Sequence, residues 1–593
     1  VYPERSPPVA VSEKLQKRMK ILGINDGHNA SAVLVEDGVV VAGLQEERLS
    51  RLKNQPGFPF RAVRWILEST GTDPGQLDFV AMHSKHSPYP KTREEMLAEY
   101  AASQTFASSV KQAVKRTAAT KHYRSKRRAV RLADVARAGL PPARTTFVDH
   151  HTCHAAAAYH GCPWKDEKVL VLTADGMGDD LCATVRIGER GKLGEPIATV
   201  DDSHSLGSIY AKITFVLGMV PNEHEYKLMG MAPYAPASGA EKSYERFKNL
   251  FVWDGNGKLT WKRAPGVPHT YYSYKFFRDL VERQRFDWIS AGLQQFTEEH
   301  LVRWAQNAIR ATGVRKLALG GGVFMNVKAN QRIYELDEVD GLFVFPSCGD
   351  EMNAAGAAFH VHAVEKERSG ESAGIPPLGA IYWGAAPVDA DIEPLLPGLR
   401  AKGYGVERHD DIETVVADLL AAGEVVARAD GREEFGARAL GNRSILADPT
   451  KKEVIRIIND MIKKRDFWMP FAPAMLAERS DDYVVNPKRM DAPWMIMTFD
   501  ATDRVDEFPA GVQPYDQTAR PQFVHAEHNP AFHRIISRFR EKTGRGVVLN
   551  TSFNLHGFPI VSSAADAIEV LEKSGLPILA VGRWLLRKPA GLP

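Results

Sequence analysis

Short β-branched runs alternate with turn residues from the first ordered-looking stretch onward. Lys20–Ile24 (KILGI) reads as a buried strand that ends in Asn-Asp-Gly. Two further strands, SAVLVE and VVVAGL, follow it, joined by Asp37-Gly38, a dipeptide suited to a tight hairpin turn. The same order returns in KVLVLTADGMGDDLCATVRIGERGKL, where a strand from Lys168 ends in Asp175-Gly176 and a second run, CATVRI, stops at Gly188. A later strand, LALGGGVFMN (Leu317–Asn326), stops in Gly320, Gly321 and Gly322 before a helical run, and glycines there let backbone approach a ligand closely. Between the two hairpins, FVDHHTCHAAAAYH (Phe147–His160) predicts a helix capped by Asp149. A spacing of four puts His150 and His154 on one face of it. By itself the pair reads as the buried polar start of a helix whose alanines pack closely.

One supersecondary unit therefore occurs twice, and the triple-glycine turn comes third. That is the order of the duplicated actin-like, sugar-kinase-like ATP-binding fold, an α/β class. At 593 residues the chain exceeds one ordinary domain, so two or more are expected. The net charge of +3 is nearly balanced for this length and gives no global reason to expect a nucleic acid or an anionic membrane as partner. A local basic run, Lys111–Arg131, reads as a solvated helix face. The four cysteines, Cys153, Cys162, Cys182 and Cys348, form no Cys-x-x-Cys pair, which fits a reducing compartment. No apolar run reaches membrane-spanning length, residues 1–18 read as a flexible leader, and a cytoplasmic location is expected.

The strings GINDGHNASAVL, EERLSRLKNQPGFP, DHHTCH, YKLMGMAPY, GGGVFMN and FPSCGDEMNAAGAA resemble, in order, the first domain of the nodulation and antibiotic O-carbamoyltransferases. GREEFGARALGNRSILADP, KKRDFWMPFAPA, YDQTARPQF and NTSFNLHGFPIV extend the resemblance over the second half, with the tobramycin-carbamoylating members as its best match. The tRNA threonylcarbamoyl-transfer protein is a relative. The resemblance implies that His150, His154, Asp175 and Asp350 bind Fe(II) or another divalent metal, and such an N/O donor set suits a first-row ion. It implies an aminoglycoside hydroxyl as acceptor, for which Glu223 and Glu225 are candidate acidic walls. His151 is a candidate neighbour of the metal ligands, and Cys153 and Cys348 read as packing residues.

In the second half, Gly431–Asp448 carries Arg432, Arg438 and Arg443, and Lys463-Lys464-Arg465 follows. Guanidinium groups bind phosphate or carboxylate in a bidentate fork, while a solvated charged surface is the alternative for any one of them. KKRDFWMPF resembles the Lys-x-Arg-Pro-x-x-Lys-Pro-Leu string of the threonylcarbamoyl-adenylate synthase fold, with Asp466 in place of Pro and Met469 in place of the second Lys. NTSFNLHG resembles that fold's Ser-Ala-Asn-x-x-Gly string and nominates Ser552 and Asn554.

The expected reaction has two sites. Residues 371–593 would convert carbamoyl phosphate and Mg-ATP to carbamoyl adenylate, using Arg438, Lys463 and Arg465 as catalytic charges with Arg432, Arg443, Ser552 and Asn554 on the adenylate. Residues 19–370 would hold the adenylate between Gly176, Gly320, Gly321, Gly322 and Asn326, with Asp26 or His28 as general base and Lys53 on the phosphate. The seam falls in Glu365–Gly379. An actin-like kinase or ATPase, or a tRNA-modifying carbamoyl-transfer protein, is the alternative.

Overall fold

The computed structural model describes residues 18–103, 118–463, 466 and 468–589. Residues 1–17 of the expected leader, 111–117 of the basic run, and Arg465 lie outside the described residues.

Strands β1 (Lys20–Asn25), β2 (Ser31–Glu36), β3 (Val39–Gln45), β4 (Phe79–His83) and β5 (Thr145–Val148) form a sheet in the order β3-β2-β1-β4-β5. The hairpin edge is antiparallel, and β4 and β5 run parallel to β1. At the tight turn between β2 and β3, Asp37 and Gly38 both take positive φ, as expected of the dipeptide.

The second sheet repeats the plan. Its strands are β6 (Val169–Gly178), β7 (Leu181–Glu189), β8 (Lys192–Leu193) and β9 (Ala198–Asp201), followed, after a separate ribbon of β10 (Phe251–Asp254) and β11 (Thr260–Arg263), by β12 (Lys316–Gly320) and β13 (Gly341–Val344). The order is β13-β12-β6-β7-β8, with β9 also on β7; β12 and β13 are parallel to β6 and to each other. Two copies of one topology establish the duplicated actin-like fold.

The second expected turn lies elsewhere. β6 continues through Asp175-Gly176 with an irregularity between Ala174 and Gly178, and the chain turns at Asp179-Asp180, both at positive φ. Asp175 is thus a residue of a bulged strand, and a bulge re-aims a side chain at a site.

Helices His150–Gly161 and Asn353–Arg368 pack on each other, the first against β6 and β12 and the second against β1 and β4. Every residue of His150–Gly161 is buried. Small residues permit this closeness. A Cβ at Gly356 would lie 2.0 Å from the carbonyl oxygen of Cys153, and one at Gly23 would lie 1.9 Å from that of Ala354. The alanine run and the AAGAA stretch are therefore the means by which the ends of two helices meet.

The second half is built on a mixed sheet of eight strands: β14 (Gly405–Arg408), β15 (Val426–Ala429), β16 (Arg443–Ala447), β17 (Ala472–Leu476), β20 (Gln522–Val524), β21 (Val547–Ser552), β22 (Ile578–Val581) and β23 (Trp584–Arg587), with β18 (Phe499–Asp500) and β19 (Thr518–Ala519) pairing apart. The sheet order is β14-β23-β22-β15-β16-β21-β17-β20. Helices Ile412–Ala421 and Pro530–Thr543 cover one face and Ala564–Lys573 the other. The largest apolar core does not stop at the expected seam: Ile21, Leu172 and Phe345 share it with Phe435, Met475, Phe523 and Val547.

Candidate metal centre

His150 and His154 stand one turn apart at the start of their helix, Asp175 on the bulge of β6, and Asp350 at the start of the turn leading into Asn353–Arg368. Their ligand atoms all lie within 4.8 Å of one another. His154 Nε2 is 3.1 Å from His150 Nε2, and Asp175 Oδ2 is 3.2 Å from His150 Nε2. Asp350 Oδ1 lies 3.4 Å from His154 Nε2 and 3.7 Å from His150 Nε2. Ligand atoms about 2.1 Å from a shared ion stand roughly 3.0–3.4 Å apart in octahedral or tetrahedral geometry. The donors therefore fit a first-row divalent cation. Among the described residues this is the group of at least three such side chains arranged to hold a metal.

The electrostatics agree. Burial works to lower the His150 pKa, but Asp350 and Asp175 outweigh it and raise it to about 9. Asp175 is held well below the usual carboxylate range by His150 and His154 although burial acts the other way. Two carboxylates facing two imidazoles call for a positive charge, which a proton or a metal ion can supply.

Neighbours fix the ligands. Gly322 N–H donates to Asp175 Oδ1 at 2.9 Å, and a Cβ at Gly320 or Gly321 would strike the carbonyl oxygen of His154 or Ala174. The triple-glycine turn thus lies directly against two ligand-bearing elements. Asp179, at the true turn, accepts from His150 N at 2.8 Å and from the backbone of Lys85 and His86. His151 turns away, its Nδ1 2.9 Å from Thr173 Oγ1, and Cys153 and Cys348 are fully buried packing residues. His83, which no motif singled out, places Nε2 at 3.3 Å from His150 Nδ1.

Other expected residues have contacts of their own. His28 is part-buried in the loop after β1, where its carbonyl accepts from Asn25. Asp26 is buried in a two-point pair with Arg131, so its carboxylate is occupied. This also revises the basic run: Arg127 and Arg131, on helix Ala118–Arg137, are buried rather than solvated. Lys53 pairs with Glu223 at 3.6 Å, and Glu225 accepts from Asn222 N. Gly176 lies beside Ser208, whose hydroxyl donates to its carbonyl. Asn326 is a helix cap, its Oδ1 accepting from Ala329 N and its amide paired with Gln294.

A second cluster does assemble. Lys463 ends a π-helical turn, Asn459–Lys463, a geometry frequent at functional sites. Its Nζ donates to the carbonyl and hydroxyl oxygens of Ser552 and lies 2.7 Å from Asn554 Oδ1. His556 Nδ1 is 2.7 Å from the Lys463 carbonyl oxygen. The following segment docks on the first half through the Lys227–Asp466 ion pair at 3.0 Å and a bond from Trp468 Nε1 to the Lys227 carbonyl.

Two arginines expected on the adenylate have other tasks. Arg443 is fully buried and donates to the carbonyl oxygens of Ser562, Asp430, Gly431, Asn442 and Ala385. Arg432 donates to the carbonyl oxygens of Gly384, Val41 and Trp383. Both guanidinium groups tie loops together. Arg438 is part-buried beside Ala437, whose N–H donates to Ser347 Oγ in the first half at 3.0 Å.

The carbamoyltransferase N-terminus family model matches residues 20–359, and the carbamoyltransferase C-terminus model matches residues 417–588. The nodulation protein NolNO of Sinorhizobium fredii is 32% identical over 95% of this chain and 80% of its own length. NolO of Bradyrhizobium diazoefficiens is 32% identical over 75% of this chain and 80% of its own. Among solved structures, full-length HypF in its phosphate- and nucleotide-bound form aligns at 14% identity and a TM-score of 0.34, over 58% of this chain and 55% of that one. No helix among the described residues is long and apolar enough to cross a membrane. Matched by both family models over most of its length, the chain belongs to the carbamoyltransferase family and is an O-carbamoyltransferase.

Proposed function

We propose that this enzyme makes carbamoyl adenylate in residues 371–593 and transfers its carbamoyl group to a hydroxyl in residues 19–370. The observation that carries the reading is the convergence of His150, His154, Asp175 and Asp350 against the triple-glycine turn in a chain of this family. The joining of Lys463, Ser552 and Asn554 supports a separate site for the first step.

Atom balance requires one water. Carbamoyl phosphate and water give carbamate and phosphate; a carbamate oxygen then attacks the α-phosphorus of ATP, and pyrophosphate leaves. Lys463 and Arg438, with Arg465, supply positive charge for the oxyanions of that step, while Mg²⁺ accompanies ATP. In the second step the acceptor oxygen attacks the carbamoyl carbon and AMP departs. His150, His154, Asp175 and Asp350 would hold Fe(II) or another divalent ion, which when bound would supply Lewis acidity for the transfer step. His28 takes the acceptor proton, since Asp26 is closed off by Arg131, and Lys53 holds the phosphate. Gly320–Gly322 and Gly176 offer backbone to the adenylate.

For the acceptor we propose a cationic aminoglycoside of tobramycin type. A cavity of about 490 Å³ supports this class, since its lining includes Glu298, Glu335, Asp500 and Asp516 against Lys328 and Arg332, a net negative wall. The protein acts in the cytoplasm on this reading. The test is mass spectrometry of products after incubation with ATP, carbamoyl phosphate, a divalent metal and a panel of aminoglycosides. A mass gain of one carbamoyl group that requires both ATP and carbamoyl phosphate is the expected result, and ATP hydrolysis with no modified acceptor and no pyrophosphate would sink it.

A further inference from the structure

A buried arm of three side chains reaches the metal cluster from behind. Asp26 accepts from Arg131 Nε at 2.7 Å and from its Nη2 at 2.6 Å, and Arg127 Nη2 stands 3.4 Å from the same carboxylate. Asp26 and Arg131 are each only 1% exposed. Arg131 also donates to the carbonyl oxygens of Ser84 and His83, the residues at which β4 ends. Those bonds fix the backbone from which the His83 ring projects. The ring is buried, and its Nε2 meets His150 Nδ1 at 3.3 Å, with the two ring planes tilted by 59°.

A histidine that ligates a metal through Nε2 must carry its proton on Nδ1, and the partner of that N–H sets both tautomer and ring orientation. The usual partner is a carboxylate, a carbonyl or water. Here the atom in that position is an imidazole nitrogen. With His150 Nδ1–H as donor, His83 Nε2 is the acceptor and His83 carries its own proton on Nδ1.

We infer that His83 is a positioning residue for the metal ligand His150, and that Asp26 acts through Arg131 to hold His83 in place rather than as the general base. The inference rests on reading the His/His/Asp/Asp cluster as a metal site. It also accounts for the inward-facing arginines of helix Ala118–Arg137, which would otherwise be an unexplained buried charge cluster.

Co(II) affinity of the full chain, read by its visible absorption and by competition with a chelator, tests both. Wild type, His83→Phe, His83→Gln and Asp26→Asn are compared, each with a thermal melt. The wild-type chain should bind Co(II). His83→Phe keeps ring volume but loses the acceptor, and should bind about 10–100-fold more weakly. His83→Gln keeps an acceptor oxygen and should stay close to wild type, while Asp26→Asn should lose affinity like His83→Phe. A folded His83→Phe chain with wild-type affinity overturns the role of His83, and a folded Asp26→Asn chain with wild-type affinity but impaired transfer returns Asp26 to the base role. Should His83→Phe fail to fold, His83→Leu against His83→Gln decides the role of His83; should Asp26→Asn fail to fold, Arg131→Lys, which keeps the charge but loses the fork on Asp26, takes its place, and a folded Arg131→Lys chain with wild-type Co(II) affinity overturns the role of Asp26. Absence of Co(II) binding by wild type overturns the metal reading, and this inference with it.

Discussion

Lys463 Nζ lies 2.7 Å from Asn554 Oδ1, which binds a turn after one helix to the end of β21 across ninety-one positions of sequence. Buried among oxygens, the ammonium has a field stronger than it would have in water.

Lys463→Ala should therefore lose pyrophosphate release by roughly a hundredfold or more, the effect of removing about 2.7–4 kcal/mol of transition-state stabilisation. The same variant should still carbamoylate the acceptor when synthetic carbamoyl adenylate is supplied. A melt at the wild-type temperature must accompany the assay, because Lys463 also joins Ser552 to the preceding turn. A folded variant that makes carbamoyl adenylate normally would refute the assignment.

Transfer and adenylate formation should separate the other way at the metal cluster. His154→Ala and Asp350→Asn should lower bound metal and abolish transfer while pyrophosphate release continues. Chelation of the wild-type chain followed by removal of the chelator and return of Mg²⁺ should do the same to transfer, with recovery only on adding back a first-row divalent ion. Metal analysis beside both assays decides the matter; loss of both activities together would contradict two chemically separate sites.

Gly178→Ala is a steric test of the same centre. A Cβ there would stand 2.1 Å from His150 Cγ, closer than real contacts allow, so the imidazole must move. Metal content should fall with the fold intact, as judged by circular dichroism. An unchanged metal stoichiometry and affinity would show that the ring has room to yield.

Arg443 should behave as a structural residue. Arg443→Ala takes the guanidinium donor from five carbonyl oxygens, of which those of Ala385 and Asn442 keep the backbone N–H of Glu433 and Asp430, and leaves Glu433 and Glu434 buried beside it, a loss of about 3 kcal/mol or more by analogy with broken buried charge networks. The expected readout is a large drop in melting temperature or loss of soluble protein. An adenylate-binding role would instead give a stable variant with raised KM for ATP.

What the sequence disclosed depended on whether the chemistry was local. His150 and His154 are four apart on one helix, and the first hairpin turn is a dipeptide signal, so both were legible. Asp175 is nominated as a ligand by resemblance, yet its place on a bulge was not legible, because the Asp179-Asp180 turn that displaces it comes only four residues later in a run rich in Asp and Gly. His83 carries no motif; its meaning comes from His150, sixty-seven residues on. Arg432 and Arg443 look like ligand forks in a one-dimensional text, since nothing in their neighbourhood announces the carbonyl oxygens at Val41, Ala385 and Ser562 that claim them. Arginine burial is a property of the assembled sheet.

The core shared by Ile21, Leu172 and Phe345 with Phe435, Met475 and Phe523 sets a condition on how this polypeptide can be divided. A cut near residue 370 would not release two self-sufficient proteins. Each piece would keep a raw apolar face shaped for the other, so each alone is expected to precipitate, while co-production of the two is expected to reconstitute a soluble heterodimer. Dividing the polypeptide there therefore demands matched amounts of both fragments, a demand that one continuous chain removes by making the stoichiometry covalent.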